Sequence, residues 1–273
     1  MTIKNILVAF TGSKQSVNAL KVAKIMSVKY GAHITGTLSH GLPVAMYTYG
    51  GHLPQAALDD ITAADKQHRI KVRKQFFEIC EDLLSDLVHF TEAYGDANEQ
   101  LIKIAHCYDL IVMGPTNKKT GYQHMEVHPD LIVHSAGRPV IVVPEKFDVA
   151  EFNENALIAW DGKRAAARAV FDALDILKTK SRVVVLTIGT VEKAGLKTGP
   201  IVQHLTRHDI APEVIHSERK GKISKTILQT AKDVKAGLII MGAYQHSKLA
   251  EDLFGGETNR VLAKSKVPVL LSH

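Results

Sequence analysis

The chain has 273 residues, 45% of them hydrophobic, enough for a sizeable core and for two ordinary domains. Its 34 Lys and Arg against 28 Asp and Glu leave a formal charge of +6 with no long basic block, so nucleic acid is not an expected partner. Cys80 and Cys107 belong to no CxxC, which excludes a disulfide framework and suits buried thiols of a reducing compartment. No apolar run nears the roughly 18 residues of a membrane span, so no membrane is expected as a partner. No export leader precedes the first apolar run, and the expected location is the cytoplasm.

Residues 6–10 (ILVAF) are continuously apolar, as in a strand buried on both faces of a parallel sheet. Thr11 and Gly12 turn the chain, and Ser13 is placed to cap a helix whose apolar side carries Val17, Leu20, Ala23 and Met26. Gly31 stops that helix, and residues 33–38 form a second strand. Residues 40–55, punctuated by glycine and proline, read as a loop with Tyr47 and Tyr49 in it. A long helix follows through Ile61, Ile70, Phe76 and Leu83, with the charged residues 65–73 expected on a solvated face. Strands are expected near 88–90, at 109–114 and at 139–143, with a helix through Leu101 and Ile104. Residues 144–155 read as a linker.

The pattern then starts again. Residues 156–160 (ALIAW) match 6–10, and Asp161-Gly162 match Thr11-Gly12. Strands follow at 182–188, 213–216, 238–241 and 267–271, with helices at 195–207 and 223–234 and through Val261 and Leu262. Gly12 and Gly162 are offset by 150, Gly114 and Gly242 by 128, and Pro139 and Pro268 by 129. Two copies with matching ends, the first carrying a central insertion of 22, define an internal repeat. The expected fold is α/β: two tandem Rossmann-like domains, residues 1–145 and 155–273, each a five-stranded parallel sheet with helices on both faces. Pro268 suits an edge strand, and an edge in each copy would pair the two around a pseudo-twofold.

Residues 237–273 (GLIIMGAYQHSKLAEDLFGGETNRVLAKSKVPVLLSH) run strand, glycine, loop, Gly-Gly, helix, strand. Glycines let backbone N–H groups approach an anion, and a helix start adds donors and partial positive charge. Many such loops are only turns. With ALIAWDGKRAAARAV, LIIMGAY and VPVLL, each copy resembles a universal stress protein domain, and the whole chain a tandem member of that family. The resemblance implies a stress-response regulator in which many members bind ATP, with Mg accompanying it, and many pair as dimers. A homodimer, or the pseudo-dimer within one chain, is therefore expected; the protein partner is unknown.

In ATP-binding members the last glycine-rich segment runs Gly, two residues, Gly, nine residues, Gly, then Ser or Thr. Here Met241 leads into Gly242, Gln245 stands at the second glycine, and His246 opens the nine. Gly255 matches the third glycine and Gly256 replaces the hydroxyl residue. Glu257 brings a carboxylate that suits the helix dipole but repels phosphate, and Thr258 supplies a hydroxyl. At about 1 kcal/mol per neutral hydrogen bond, such changes weaken binding without abolishing it. By the same resemblance Asp161 faces ribose or adenine and Ile188 packs on the base, although Asp161-Gly162 also reads as a plain turn and cap. The first copy has Thr11 in place of that Asp, and Pro115 and Met125 in its loop, so it is expected to lack a nucleotide site. The alternative is a non-nucleotide interaction or small-molecule module of the same fold. His124 with His128 and His204 with His208 are spaced like metal pairs but lack a third ligand and read as exposed. No nucleophile–base pair stands out, so neither a catalytic nor a metal residue is assigned; the expectation is no enzyme beyond slow incidental ATP hydrolysis.

Overall fold

The computed structural model describes residues 3–49, 53–116, 121–189, 191–243 and 256–273. The described residues fall into two compact units, Ile3–Arg138 and Pro139–His273.

In the first unit the elements run β1 (Asn5–Ala9), α1 (Lys14–Tyr30), β2 (His33–His40), α2 (Val44–Tyr49), α3 (Gln55–Ile79), β3 (Val88–Tyr94), α4 (Ala97–Ala105), β4 (Leu110–Met113) and α5 (Pro129–Ser135). The strands lie in the order β3-β2-β1-β4, every pairing parallel. Ser13 caps α1 by accepting from the Ser16 N–H, and Gly31 ends it in the left-handed region at φ 60°. Asp96 caps α4 through the Asn98 and Glu99 amides. Nearly all of β2 is buried, because α3 covers one face and α4 the other. The segment 40–55 is not wholly a loop: residues 44–49 close one short helix, which glycine and proline on either side had masked.

The second unit opens with β5 (Val140–Val142), followed by β6 (Asn155–Trp160), α6 (Arg164–Asp172), α7 (Leu174–Leu177), β7 (Arg182–Ile188), α8 (Val191–Thr206), β8 (Pro212–Ser217), α9 (Ile223–Asp233), β9 (Leu238–Gly242), α10 (Gly256–Lys264) and β10 (Val269–Ser272). Its order is β5-β10-β9-β6-β7-β8. All of its pairings are parallel except β10 with β5, where Val269 faces Val142 and Leu271 faces Val140. By sequence β5 closes the first copy; by contact it belongs with the second unit.

Strand β10 is therefore central in its unit, not the edge that Pro268 suggested. The proline sits one residue before the strand, where its missing N–H is not needed, and its carbonyl accepts from Ile239. The edge strands β3 and β8 are only partly buried, which is why their apolar runs are short. Gly12 and Gly162 have the same φ, 74°, so the turn after the first strand of each copy has the same left-handed geometry.

Candidate functional site

In the second unit the chain leaves β6 for β7 on one side and returns to β9 on the other. The sheet therefore has a switch point between β6 and β9, and their carboxyl tips are where open α/β sheets hold ligands. Ala159 is in register with Met241 and Trp160 with Thr187, so Asp161 and Ile188 stand level at that edge. Asp161 is exposed, and its Oδ1 accepts from the Lys163 N–H at 3.0 Å, the geometry of a turn. Ile188 ends β7 half-buried, Met241 is buried, and Gly242 ends β9 half-buried. Gln245, His246 and Gly255 lie outside the described residues.

Gly242 has a reason that involves no ligand. A Cβ built on it would lie 2.4 Å from the Ala166 nitrogen and 2.5 Å from the Ala165 carbonyl carbon, backbone atoms at the start of α6. Gly114 meets the start of α1 in the same way, 2.9 Å from the Gln15 carbonyl carbon.

Gly256 opens α10, and Thr258 is buried in its first turn. The Glu257 carboxylate is turned to α9: one oxygen accepts from the Ser224 N–H at 2.7 Å, and the other pairs with Arg260 at 2.9 Å. It thereby caps the start of α9, whose own N-cap residue, Lys222, supplies no side-chain cap. Burial would push this carboxyl up, but the Ser224 hydrogen bonds and the Arg260 charge outweigh it and hold the group below its usual value. Glu257→Ala is expected to lower stability by about 1 kcal/mol, read as a fall in the urea midpoint. That contribution is complete above the usual carboxylate value and is lost as pH falls through the lowered folded value.

His216, on β8 beside Thr187, was not singled out by its sequence. Its Nδ1 lies 3.1 Å from the Thr187 hydroxyl, and its buried Nε2 has no hydrogen-bond partner among the described residues. Ser272, in register with Gly242, likewise has a buried hydroxyl with no hydrogen-bond partner among the described residues. Both lie on strand ends at the edge where Asp161 stands, and neither residue type in a short strand signals such a place.

In the first unit the corresponding edge is occupied by α3. Val72 and Gln75 press on the Gly12 turn, each within about 3 Å of where a Cβ would stand there. The solvated face expected for residues 65–73 holds for Lys66, Lys71 and Arg73, which are exposed, but is corrected at Asp65 and Arg69. Asp65 is buried; it accepts from His124 Nε2 at 2.8 Å, and Arg69 reaches both Asp65 and Glu92. His124 is likewise not exposed, its side chain being 7% accessible. His128 turns elsewhere, to Thr116 at 3.4 Å. Among the described residues no three His, Cys, Asp or Glu side chains are gathered to hold a metal ion.

The cysteines differ from each other. Cys80 is buried, and burial pushes its thiol up to about 11, whereas Cys107 is exposed, contrary to the core position expected for it. Cys107 lines a cavity of 430 Å³ with His33, His89 and Tyr108, at the amino ends of the strands and so at the opposite edge from the tips. Among the described residues no helix is long and apolar enough to cross a membrane.

These features define a doubly wound, mostly parallel α/β protein whose candidate ligand edge is the strand tips. Residues 192–273 match the model of the universal stress protein family. A universal stress protein of Synechocystis sp. is 25% identical over 171 residues, a match covering 60% of this chain and 57% of that relative. The matched region thus spans little more than half of the relative's length. A universal stress protein structure from Archaeoglobus fulgidus DSM 4304 superposes with a TM-score of 0.74 at 18% identity, over 98% of this chain and 95% of the other. A protein of unknown function from Pseudomonas aeruginosa PAO1 gives 0.61 at 17% identity, over 99% and 92%. The carboxyl-terminal segment is thus similar to the universal stress protein family, and the fold over nearly the whole length is that of the solved structures it superposes on.

Proposed function

We propose that this chain is a stress-response regulator whose carboxyl-terminal unit binds an adenine nucleotide, ATP with Mg, at the tips of β6, β7 and β9. The observation that carries the reading is the switch point between β6 and β9, with Asp161 and Ile188 level at its edge. The engagement of Glu257 with Ser224 and Arg260 supports it, because a carboxylate so occupied repels phosphate less. Asp161 would face the ribose or the base, Ile188 and Met241 would pack on the base, and Gly242, Gln245, His246, Gly255, Gly256 and Thr258 would border the phosphates. Bound nucleotide would alter contacts with a partner protein or a second copy. Any hydrolysis would be slow and incidental, and no residue is given a catalytic role.

A second reading, an interaction module without nucleotide, is favoured by one observation. Gly242 and Asp161 each have a structural task that needs no ligand.

The chain has one tryptophan, Trp160, beside Asp161, which makes its fluorescence a local reporter. Mass spectrometry of ligand released on denaturation is expected to find an adenine nucleotide near one per chain. Titration with ATP is expected to change Trp160 emission. Asp161→Ala should weaken ATP binding about tenfold, the loss of one charge-assisted hydrogen bond, while Thr11→Ala should leave it unchanged. Asp161→Asn, which keeps a turn acceptor, separates lost charge from a lost turn. No nucleotide and no response to ATP would favour the second reading.

A further inference from the structure

The nucleotide reading makes no use of the cavity at the amino ends of the first unit's strands. Its walls come from β1 (Asn5), β2 (His33, Thr35), β3 (His89) and the turn after α4 (Cys107, Tyr108). Asn5 is in register with His33 and Thr35 with His89, so these four side chains stand on one face of the sheet.

His33 and His89, 56 residues apart, meet there, with His33 Nδ1 at 3.2 Å from His89 Nε2. The two rings are nearly coplanar, 13° apart, with centroids separated by 5.5 Å. That separation equals the N···N distance plus one ring radius at each end, so both nitrogens lie on the line between the centroids. The rings therefore meet edge to edge, and the lone pair or N–H of each nitrogen points straight at the other.

Such a pair shares one proton, one ring donating and the other accepting. It also has the geometry of a linear, two-coordinate ion. A tetrahedral ion such as Zn²⁺ needs lone pairs that converge at an angle, and three or four protein ligands. Here the lone pairs oppose each other, and among the described residues no third His, Cys, Asp or Glu joins them. No carboxylate is among the residues lining the cavity to offset a divalent charge. The nearby Asp109 carboxylate is engaged by the Lys4 and Asn5 amides. Two opposed nitrogens without an anion suit a soft, closed-shell ion of single charge.

We propose that His33 and His89 form a linear two-nitrogen site for a monovalent closed-shell metal ion, of the Cu⁺ and Ag⁺ class, at the amino edge of the first unit's sheet. Two bonds of about 2 Å in line need about 4 Å between the nitrogens, about 0.8 Å more than the 3.2 Å found. His89 is exposed on an edge strand and the cavity of 430 Å³ lies beside the pair, so small side-chain rotations supply that space. The shared proton is not lost. It passes to the outer nitrogen of its own ring, both imidazoles stay neutral, and the site gains only the charge of the ion. Cys107 borders the same cavity as a soft donor for an arriving ion, without closing a three-ligand set.

The test uses Ag⁺, which has the same charge and preference for opposed ligands and needs no reductant. The full chain carries Cys80→Ala and Cys107→Ser, so that no thiol takes the ion. It is titrated with silver nitrate in chloride-free buffer with about 1 mM imidazole as competitor, which two nitrogens fixed on one sheet should outcompete through their effective concentration. Calorimetry should find one Ag⁺ per chain, and long-range proton–nitrogen NMR correlations should show two histidine ring nitrogens shifting together. His89→Phe and His33→Phe, made separately, should each weaken binding about hundredfold. Zn²⁺ should bind no more tightly to the parent than to either variant. No Ag⁺ binding above the imidazole background, binding that survives the loss of either histidine, or Zn²⁺ held by the pair more tightly than Ag⁺ would each overturn the site.

Discussion

Gly242→Ala is expected to destabilise the ligand-free protein by about 1–3 kcal/mol, the usual cost of forcing an extra methyl into a packed interior. The methyl would lie 2.4 Å from the Ala166 nitrogen and 2.5 Å from the Ala165 carbonyl carbon. These are backbone atoms of the first turn of α6, so no rotamer change relieves the contact; strand and helix must separate. Urea unfolding followed by Trp160 fluorescence measures the cost, since Trp160 lies on β6 beside this helix. Gly256→Ala is the contrast: its nearest neighbour is the flexible end of Arg260 at 3.2 Å, and alanine favours a helical position, so its midpoint should hardly move. An unchanged midpoint for Gly242→Ala would refute the packing account. Gly114→Ala should behave like Gly242→Ala in the first unit, because Gln15 presents backbone there at 2.9 and 3.0 Å. A fall in nucleotide binding in a Gly242 variant would then say little about phosphate contact unless stability were measured beside it.

The fold was legible because parallel strands buried on both faces leave continuous apolar runs. Residues 6–10, 156–160 and 238–241 stood out for that reason, and their spacing exposed the repeat. Strand β3 was seen only in its first three residues, since as an edge it alternates burial and carries Thr91 and Glu92 within its length. The position of β10 was misread because Pro268 says where a strand begins, not which neighbours it will have. Of the site, the level placement of Asp161 and Ile188 followed from strand ends alone. What could not be read were contacts between distant segments. Glu257 was judged by its own helix, yet its carboxylate serves the amide of Ser224, 33 residues earlier. Asp65 and His124, 59 residues apart, each look like ordinary surface residues in sequence. Only the path of α3 makes them partners.

That path depends on one ring. Phe76→Ala is expected to cost about 3–5 kcal/mol, as a large aromatic deletion in a core that cannot fully collapse. Phe76 is fully buried and meets Phe10, Phe77 and Phe90 with ring centroids 5.5, 5.5 and 5.1 Å away. It fits because β2 offers Gly36 beneath it: a Cβ there would lie 2.4 Å from the ring. Gly36→Ala should therefore destabilise the unit as well, and pairing it with Phe76→Leu should cost less than the two single changes added together, since the smaller side chain makes room for the methyl. Far-UV circular dichroism during urea unfolding is the suitable measure, because Trp160 reports on the other unit. Strict additivity would mean that the ring and the glycine do not share a site. The coupling also reaches the strand tips. Phe76 lies two helical turns beyond Arg69 and three beyond Asp65, so whatever unseats the ring also shifts the residues that hold His124 and Glu92. Phe76→Ala at neutral pH should thus increase exchange in residues 121–128 ahead of global unfolding, and protection there equal to that of the wild type would separate the seating of α3 from the contacts at its tip.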